Sequence, residues 1–412
     1  MATHMAASSR EGKKLNDSVF WAGQAAQQAI AQYGEQAVVN ATVGCYAGED
    51  GELGCLPTVE ALYRTLPIDD FITYAPPIGL PEYRQAAIAE TFEDQRPDGY
   101  ADAVATAGGT GAVHIAITNY SEVGDTVLTT DWRWGIYGGL CQEVGRKLAA
   151  FSLFDEERHF NLPAFAAAMT DILSRQDSLL LILNTPANNP TGFAMSEDDW
   201  DGVLQICREQ EAKGKRITIL VDIAYIAYAG EKNAVRQFMK KFSNLPPHIL
   251  ILFAFSMSKG YTLYGQRAGA LVALSSSRDV IDEFVELGRY SARTSWSNVN
   301  RAAMTLLVKV RQDPKLQQQV DAERQAFFDV IWKRADLFMQ EAAQCGLRIV
   351  PYHGGFFISI PTDDASAVCR RLQEKRIFAA PLAQGVRLGV CSVPLHQIQG
   401  LALKIKEAIE DM

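Results

Sequence analysis

Between residues 104 and 275, short uninterrupted apolar runs alternate with stretches of helical periodicity. The runs are Val104–Ala107, Thr126–Thr130, Leu179–Leu183, Ile217–Asp222, Ile249–Phe255 and Gly269–Leu274. A strand with one wet face alternates polar and apolar residues, whereas a continuous apolar run is covered on both faces. Such runs separated by helical segments predict an α/β architecture, a mostly parallel central sheet with helices on both faces. In sheets of that kind ligands bind beyond the carboxyl ends of the strands. Asp222 closes one run and Lys259 follows another, while Gly108-Gly109-Thr110 and Asn189 follow two more.

The flanks have a different rhythm. Ser18–Gly34 carries an amphipathic helix pattern, with Val19-Phe20, Ala25-Ala26, Ala29-Ile30 and Tyr33 as apolar positions and Gly34 as the stop. Val38–Gly44 reads as a short strand entering a Gly-rich loop, and Pro57–Leu66 as a helix. Two prolines deny regular structure to Tyr74–Leu80, and a helix starts at Pro81. From Val299 to Gly346 the pattern is long and helical, broken near Asp313-Pro314. Beyond it come Leu347–Val350, a strand at Gly354–Ile360, a helix near 365–375, a strand at Gly385–Val390 and a closing helix. This predicts a small α+β domain built from both chain ends, residues 1–50 and 306–412, around a large domain at 51–305. There is no low-complexity segment and no evident internal repeat.

Composition narrows the functions. The 412 residues are 48% hydrophobic and 21% charged, which supports a large core. A formal charge of −9 without basic blocks argues against nucleic acid as a partner. No window approaches the ~18 consecutive apolar residues of a membrane helix. The opening Met1–Arg10 lacks an apolar core of signal-peptide length, and His4-Met5 reads as a cloning scar. The expectation is a cytoplasmic protein with no membrane partner. The seven cysteines form no C-x-x-C pair and the six histidines have no metal-ligand spacing, so reduced thiols and no metal site are expected.

The remaining signal is chemical. Lys259 sits among small hydroxyl residues in Ser256-Met257-Ser258-Lys259-Gly260, just past a buried run. A desolvated amine gives up its proton more readily and becomes a nucleophile toward a carbonyl. Most lysines are solvated and unreactive, so Lys259 needs partners. Arg267 lies eight residues on and brings a fixed positive charge. Gly108-Gly109-Thr110-Gly111, at a strand-to-helix turn, offers backbone N–H groups to an anion. A tight turn needs glycine as well, and the Lys-Ser/Thr ending of a nucleotide P-loop is missing. Asp222 is a structural cap or the partner of a cationic ring nitrogen. Tyr225 is a core tyrosine or the partner of a ring hydroxylate. Asn188-Asn189-Pro190-Thr191-Gly192 is a turn by its chemistry, and Trp134 is a core residue or a stacking surface.

Each of these is weak alone. In this order, Gly109-Thr110, Trp134, Asn189-Pro190-Thr191-Gly192, Asp222-x-x-Tyr225, Ser256-x-Ser258-Lys259 and Arg267, the chain resembles the class I aminotransferases of pyridoxal-phosphate fold type I, the aspartate and aromatic aminotransferase family. The likeness runs from Val39 nearly to the end. It implies a Schiff base between Lys259 and pyridoxal 5'-phosphate, with Gly109, Thr110, Ser256, Ser258 and Arg267 around the phosphate. It implies Asp222 at the ring nitrogen, Tyr225 at the ring hydroxylate, Trp134 on the ring face, and Asn189 against both coenzyme and substrate. Arg387, in Gly-Val-Arg-Leu-Gly-Val, resembles the arginine that grips the substrate α-carboxylate, where a planar fork suits a carboxylate. Arg293, in Arg-Thr-Ser-Trp-Ser-Asn, resembles the partner-subunit arginine that binds a distal carboxylate. Tyr74 resembles the tyrosine that reaches the neighbouring subunit's phosphate, and Gly44 the mobile loop that closes on substrate. The resemblance therefore implies a homodimer with shared sites.

The implied reaction is a ping-pong transfer of an amino group between an L-amino acid (aspartate, glutamate or aromatic) and a 2-oxo acid, with 2-oxoglutarate the expected acceptor. Lys259 would serve as base and then acid. Some positions depart from the pattern. Asn184 and Tyr137 stand where the aspartate enzymes carry histidines, and Gly108 where a serine is common. Ala47–Gly51 replaces the usual loop after Tyr46, and Trp296 a smaller aromatic near Arg293. These leave the amino donor open. Three readings compete: another pyridoxal chemistry on the same fold, such as β-elimination or decarboxylation; an aminotransferase with an aromatic or neutral donor; and a coenzyme-binding regulator, for which the chain carries no helix-turn-helix or basic arm.

Overall fold

A computed structural model describes residues 5–14 and 17–411; Met1–His4, and with it part of the His4-Met5 pair, lies outside the described residues. β1 (Val39–Asn40) belongs to a small two-stranded pair. The central sheet contains β2 (Tyr100–Ala107), β3 (Thr126–Thr130), β4 (Lys147–Phe151), β5 (Ser178–Asn184), β6 (Arg216–Asp222), β7 (Ile249–Ser256) and β8 (Ala268–Ser275). Their spatial order is β2-β8-β7-β6-β5-β3-β4. Every residue of β7 and β8 is buried, as are all but the first of β5 and β6. Helices cover both faces, and the two-residue pleat sorts the side chains between them. Leu179, Leu181 and Leu183 enter one core, while Leu180 and Ile182 enter the other.

The sheet is parallel except at one strand. β8 runs antiparallel to both of its neighbours, β2 and β7. That reversal matters for the site. A parallel strand delivers residues to the carboxyl edge where it ends; β8 delivers them where it begins. Ala107, at the end of β2, pairs with Ala268, and Ser256, at the end of β7, pairs with Gly269. Arg267, one residue before β8, therefore meets the residues that follow β2 and β7.

Close packing at this junction requires Gly269. A Cβ there would lie 2.5 Å from the Phe255 carbonyl oxygen and 2.8 Å from the Gly108 carbonyl carbon, both backbone atoms. Gly269→Ala is expected to cost about 1–3 kcal/mol by overpacking. It should lower the unfolding midpoint in denaturant without changing the slope; an unchanged midpoint would show that β8 can shift freely.

β9 (Phe357–Pro361), β11 (Ala380–Leu382) and β12 (Gly385–Gly389) form an antiparallel sheet in the order β11-β12-β9, and β10 (Ile377–Phe378) pairs parallel with β1. Their core contains Ile358, Ile360, Val386 and Leu388 with Ala41 and Tyr46 from the start of the chain. The helix Pro314–Cys345 contributes Val320 to the large core and Ile331, Ala335 and Phe338 to this one. We keep 1–50, 51–305 and 306–412 as the proposed division, with this long helix joining the two cores.

Several local expectations change. β4 lacks a continuous apolar signal because it is a partly exposed edge strand, Lys147-Leu148-Ala149-Ala150-Phe151. The helix Arg278–Ser295 was not singled out in the sequence. Leu347–Val350 has no regular structure, and the strand expected from Gly354 begins at Phe357. Gly355 has φ +91°, and a Cβ on Gly354 would lie 2.8 Å from the Ala229 carbonyl oxygen, so those two glycines form a turn. Val38–Gly44 keeps only β1 as strand. The helix Ser18–Tyr33 ends at Gly34 as expected; Ala22 and Ala26 are buried and Ala25, Ala29 and Ile30 pack partly against the interior, while Phe20 and Tyr33 are exposed. No described helix is long and apolar enough to cross a membrane, and no group of His, Cys, Asp and Glu among the described residues is placed to hold a metal.

Candidate active site

The carboxyl edge of the central sheet opens into a cavity of about 220 Å³. Gly109, Thr110, Trp134, Asn189, Asp222, Tyr225, Ser256, Ser258, Lys259 and Arg267 line it, together with Asn184 and Ala224. These come from six sheet-edge segments, brought side by side by strand order.

Lys259 sits on a four-residue helical turn, Met257–Gly260, directly after β7. Ser256 caps that turn by accepting from the Ser258 N–H at 3.2 Å. The Lys259 Nζ lies 5.7 Å from the centre of the Tyr225 ring and 4.9 Å from that of Tyr264. Burial lowers its pKa, and the cations Arg267 and Arg387 add to the effect. Cys45 and Cys391 are near enough to oppose it as thiolates. Burial raises both thiols, Cys391 to about 12, so neither carries that charge near neutral pH.

Asp222 ends β6 and is buried. Burial raises its pKa; three contacts oppose this, the O–H of Tyr137, the N–H of Ala224 and the charge of Lys259. Tyr137 donates to Oδ2 at 2.6 Å and Ala224 to Oδ1 at 3.1 Å. Asn184, which pairs in register with Asp222 across β5 and β6, donates to the Asp222 carbonyl at 2.8 Å. Its side-chain oxygen accepts from the Asn189 N–H at 2.5 Å. One asparagine thus ties the end of β6 to the Asn189 turn. Asn189 in turn donates to the Tyr225 oxygen at 3.4 Å and accepts from Arg387 at 3.2 Å.

On the other side of Lys259 the charge is positive. The 12-residue helix Gly108–Asn119 points its N-terminus into the cavity. Arg267, exposed and at φ +52°, donates to the Ser258 hydroxyl at 3.2 Å and the Tyr264 carbonyl at 2.9 Å. No carboxylate among the described residues pairs with it. A Cβ on Gly108 would sit 2.7 Å from its guanidinium, at φ +69°, so the serine common at this position in the resembled pattern would be strained here and would displace Arg267. Free donors at a helix N-terminus with an unpaired guanidinium make an anion cradle.

Arg387, in the middle of β12, is 5% exposed. Its neighbours Val386 and Leu388 face the small core, so the pleat turns Arg387 toward Asn189. It also donates to the Thr42 carbonyl at 2.9 Å and stacks 4.1 Å over the Phe357 ring. Burial lowers its pKa, and its buried Nε has no hydrogen-bond partner among the described residues.

The sequence pattern of the family described as "Aminotransferase class I and II" matches residues 36–405. The chain belongs to that family. Among curated relatives, it is 25% identical over 291 residues to a cytoplasmic aspartate aminotransferase of Dictyostelium discoideum, covering 68% of this chain and 63% of the relative. It is 26% identical to an aromatic-amino-acid aminotransferase of Pseudomonas aeruginosa, covering 54% of this chain and 55% of the relative. These matches span less than two thirds of either relative. A crystal structure of an aminotransferase from Anaerococcus prevotii superposes with a TM-score of 0.96 at 35% identity, covering 99% of this chain and 100% of that one. An aromatic-amino-acid aminotransferase from Burkholderia pseudomallei, covalently bound to pyridoxal phosphate, superposes with a TM-score of 0.80 at 22% identity, covering 98% and 100%.

Within this class I/II aminotransferase chain, four of the expected site residues do not line the cavity: Tyr74, Arg293, Gly44 and Arg387. Tyr74 is 84% exposed, and Arg293 is exposed near the end of the helix Arg278–Ser295, where it donates to Ser297. Gly44 borders the site through Phe357, whose ring would touch a Cβ there at 3.1 Å. The loop around Gly44 is tied down at several points. Tyr46 donates its N–H to the Tyr264 hydroxyl at 3.0 Å and stacks on Phe327 at 3.8 Å. Arg334, fully buried, donates to the carbonyls of Ala47, Gly48 and Cys391. Sequence reasoning noted Tyr137 and Asn184 only as departures, yet both hold Asp222. The available signal was position: Tyr137 lies three residues after Trp134, on the next turn of the chain, and Asn184 closes an apolar run. Tyr264 and Phe357 carried no such signal.

Proposed function

We propose that this chain is a pyridoxal-phosphate-dependent aminotransferase. It moves an amino group between an L-amino acid (aspartate, glutamate or aromatic) and a 2-oxo acid, 2-oxoglutarate above all, by a ping-pong route. One observation carries the reading: a single cavity brings together a desolvated amine, a buried carboxylate and an unpaired cationic cradle. Lys259 would hold the coenzyme covalently, Gly109, Thr110, Ser256, Ser258 and Arg267 its phosphate, and Asp222 and Tyr225 its ring polar groups, with Trp134 on the ring face. The dianionic phosphate suits a cradle without its own counter-ion, and a cationic ring nitrogen suits a carboxylate kept in place by two donors. Bound there, pyridoxal phosphate supplies an aldehyde for amino groups and a ring that accepts electron density.

The chain's own residues do the rest. The Lys259 amine would take the proton from the substrate Cα and return it. Tyr137 and the Ala224 N–H donate to the Asp222 carboxyl and fix its orientation, opposing the upward pull of burial on its pKa without cancelling it. Arg387 offers a buried fork whose Nε has no partner among the described residues, which suits a carboxylate bound side-on. Asn189 sets the angle of that fork. The reading includes a homodimer with shared sites. Ile68, Ile72, Tyr74 and Tyr290 are large exposed side chains that a partner subunit would cover. Tyr74 and Arg293 would then act in the partner's site.

The test is a panel of single half-reactions, in which amino acids are mixed with the coenzyme-loaded protein and its absorbance followed. Loss of the visible band with aspartate, glutamate or an aromatic amino acid, and its return with 2-oxoglutarate, supports the reading. Release of pyruvate and ammonia from β-substituted amino acids, without amino transfer, would favour a lyase of the same fold. Arg293→Leu is expected to lower kcat/KM for dicarboxylates about 100-fold by removing a charge pair. Aromatic substrates should change by less than about threefold. Equal losses for both classes would refute a distal-carboxylate role.

A further inference from the structure

The turn carrying Lys259 rests on a buried charge network outside the cavity. Arg324, on the long helix Pro314–Cys345, is 7% exposed. Its Nε donates to the Gly260 carbonyl at 2.5 Å, the only donor to that oxygen among the described residues. Its guanidinium lies 2.8 Å from Glu90 and stacks 4.2 Å from the centre of the Tyr261 ring. Glu90 is itself buried and also meets Arg311 at 3.3 Å. Burial pushes the Glu90 carboxyl up, but Arg324, Arg311 and Arg236 outweigh it and hold the group ionised.

We propose that Arg324 is a positioning residue for Lys259, clamping the Gly260 carbonyl so that the amine projects into the cavity. A four-residue helical turn leaves its last carbonyls without intrahelical donors. The Lys259 carbonyl is served by the Thr262 N–H at 3.1 Å and the Tyr228 hydroxyl at 3.3 Å. The Gly260 carbonyl is served by Arg324. Any neutral donor would satisfy that oxygen. A buried ion pair is a poor device for stability alone, because desolvation offsets the attraction, but its fixed geometry specifies one arrangement. The planar fork touches Gly260, Glu90 and Tyr261 at once, so it fixes the direction of the turn. It also links that turn to the helix whose Phe327 and Arg334 hold the Tyr46 loop. The inference rests on the reading of Lys259 as the coenzyme-holding residue.

The test measures retention of pyridoxal 5'-phosphate in the wild-type chain, Arg324→Gln, Lys259→Ala and the double variant. Arg324→Gln is expected to weaken retention at least tenfold and to diminish the visible band. In the Lys259→Ala background the same change should matter less than twofold. Equal losses in both backgrounds, or no loss in either, would overturn the inference while wild-type retention stands. Absence of covalent retention in the wild-type chain would overturn the coenzyme reading, and this inference with it. Arg324→Lys keeps a cation beside Glu90 should the glutamine variant fail to fold. It is expected to show the same tenfold loss, and full retention in it would overturn the carbonyl clamp. Arg311→Gln, which touches Glu90 but not the turn, is expected to lower thermal stability and leave retention unchanged; a matching loss there would reduce Arg324 to a general structural role.

Discussion

Lys259→Ala is expected to lower transamination by at least about 10⁴-fold, the upper range for one acid–base group. It should also abolish covalent retention of pyridoxal phosphate and its visible absorbance. The size follows from the location of the amine. Among the described residues Lys259 is the one amine lining the cavity, so attachment and proton transfer would fall on the same atom. Its lowered pKa leaves more of it neutral, and hence able to accept a proton, than an exposed lysine would be. The loss should not come from unfolding. Burial penalises the charged amine, so the coenzyme-free variant is expected to unfold no earlier than the wild-type chain. Small primary amines added to solution should restore part of the proton-transfer activity. Full turnover in the variant would sink the proposed role of Lys259.

Asp222→Asn is expected to lower kcat/KM about 10³-fold. A carboxylate facing a cationic ring nitrogen at ~4 Å, with an effective dielectric near 20, contributes about 4 kcal/mol before desolvation, and about 1.4 kcal/mol is tenfold in rate. Asparagine keeps the shape but has one acceptor oxygen, which serves the Tyr137 O–H or the Ala224 N–H and not both; the lost charge is the larger of the two changes. Stability of the coenzyme-free protein should move the other way. Burial raises the Asp222 pKa in the folded state, so the folded chain binds the proton more tightly than the unfolded one. Stability from this group is therefore greatest at low pH and falls as pH rises from the unfolded value through the raised folded value. Above that window the ionised carboxylate is a liability, and asparagine removes it. The variant should thus unfold later than wild type near neutral pH without coenzyme, and bind coenzyme more weakly. A variant with unchanged turnover would show that Asp222 is only a strand cap.

The reversal of β8 shows why part of the site was hidden in the sequence. The run Gly269–Leu274 looks like its parallel neighbours, because burial on both faces gives the same apolar pattern whichever way a strand points. Arg267 was legible by its spacing from Lys259, but its approach to Gly108 depends on strand direction. Arg324 and Glu90 were invisible for another reason. Each is an ordinary charged residue at a helical position, and nothing local marks it for burial. Their pairing needs two helices from distant parts of the chain to meet beside Gly260.

What the sequence determined by itself was local: which runs are buried on both faces, where strands end, and which reactive side chains follow those ends. These depend on short-range periodicity and on turn chemistry, which a few neighbouring residues carry. Lys259, Asp222, Asn189 and the Gly108 turn were therefore readable as a set. The tertiary structure decided which of those ends lie side by side, and how each reactive group is held. Strand order and direction bring Arg267 to Gly108 and Asn184 to Asp222, and long-range packing puts Tyr137 against Asp222 and Arg324 under Lys259. Hydrogen bonds and desolvation act over a few ångströms in space, whatever the separation along the chain, so only the folded arrangement assigns each group its partner and its charge.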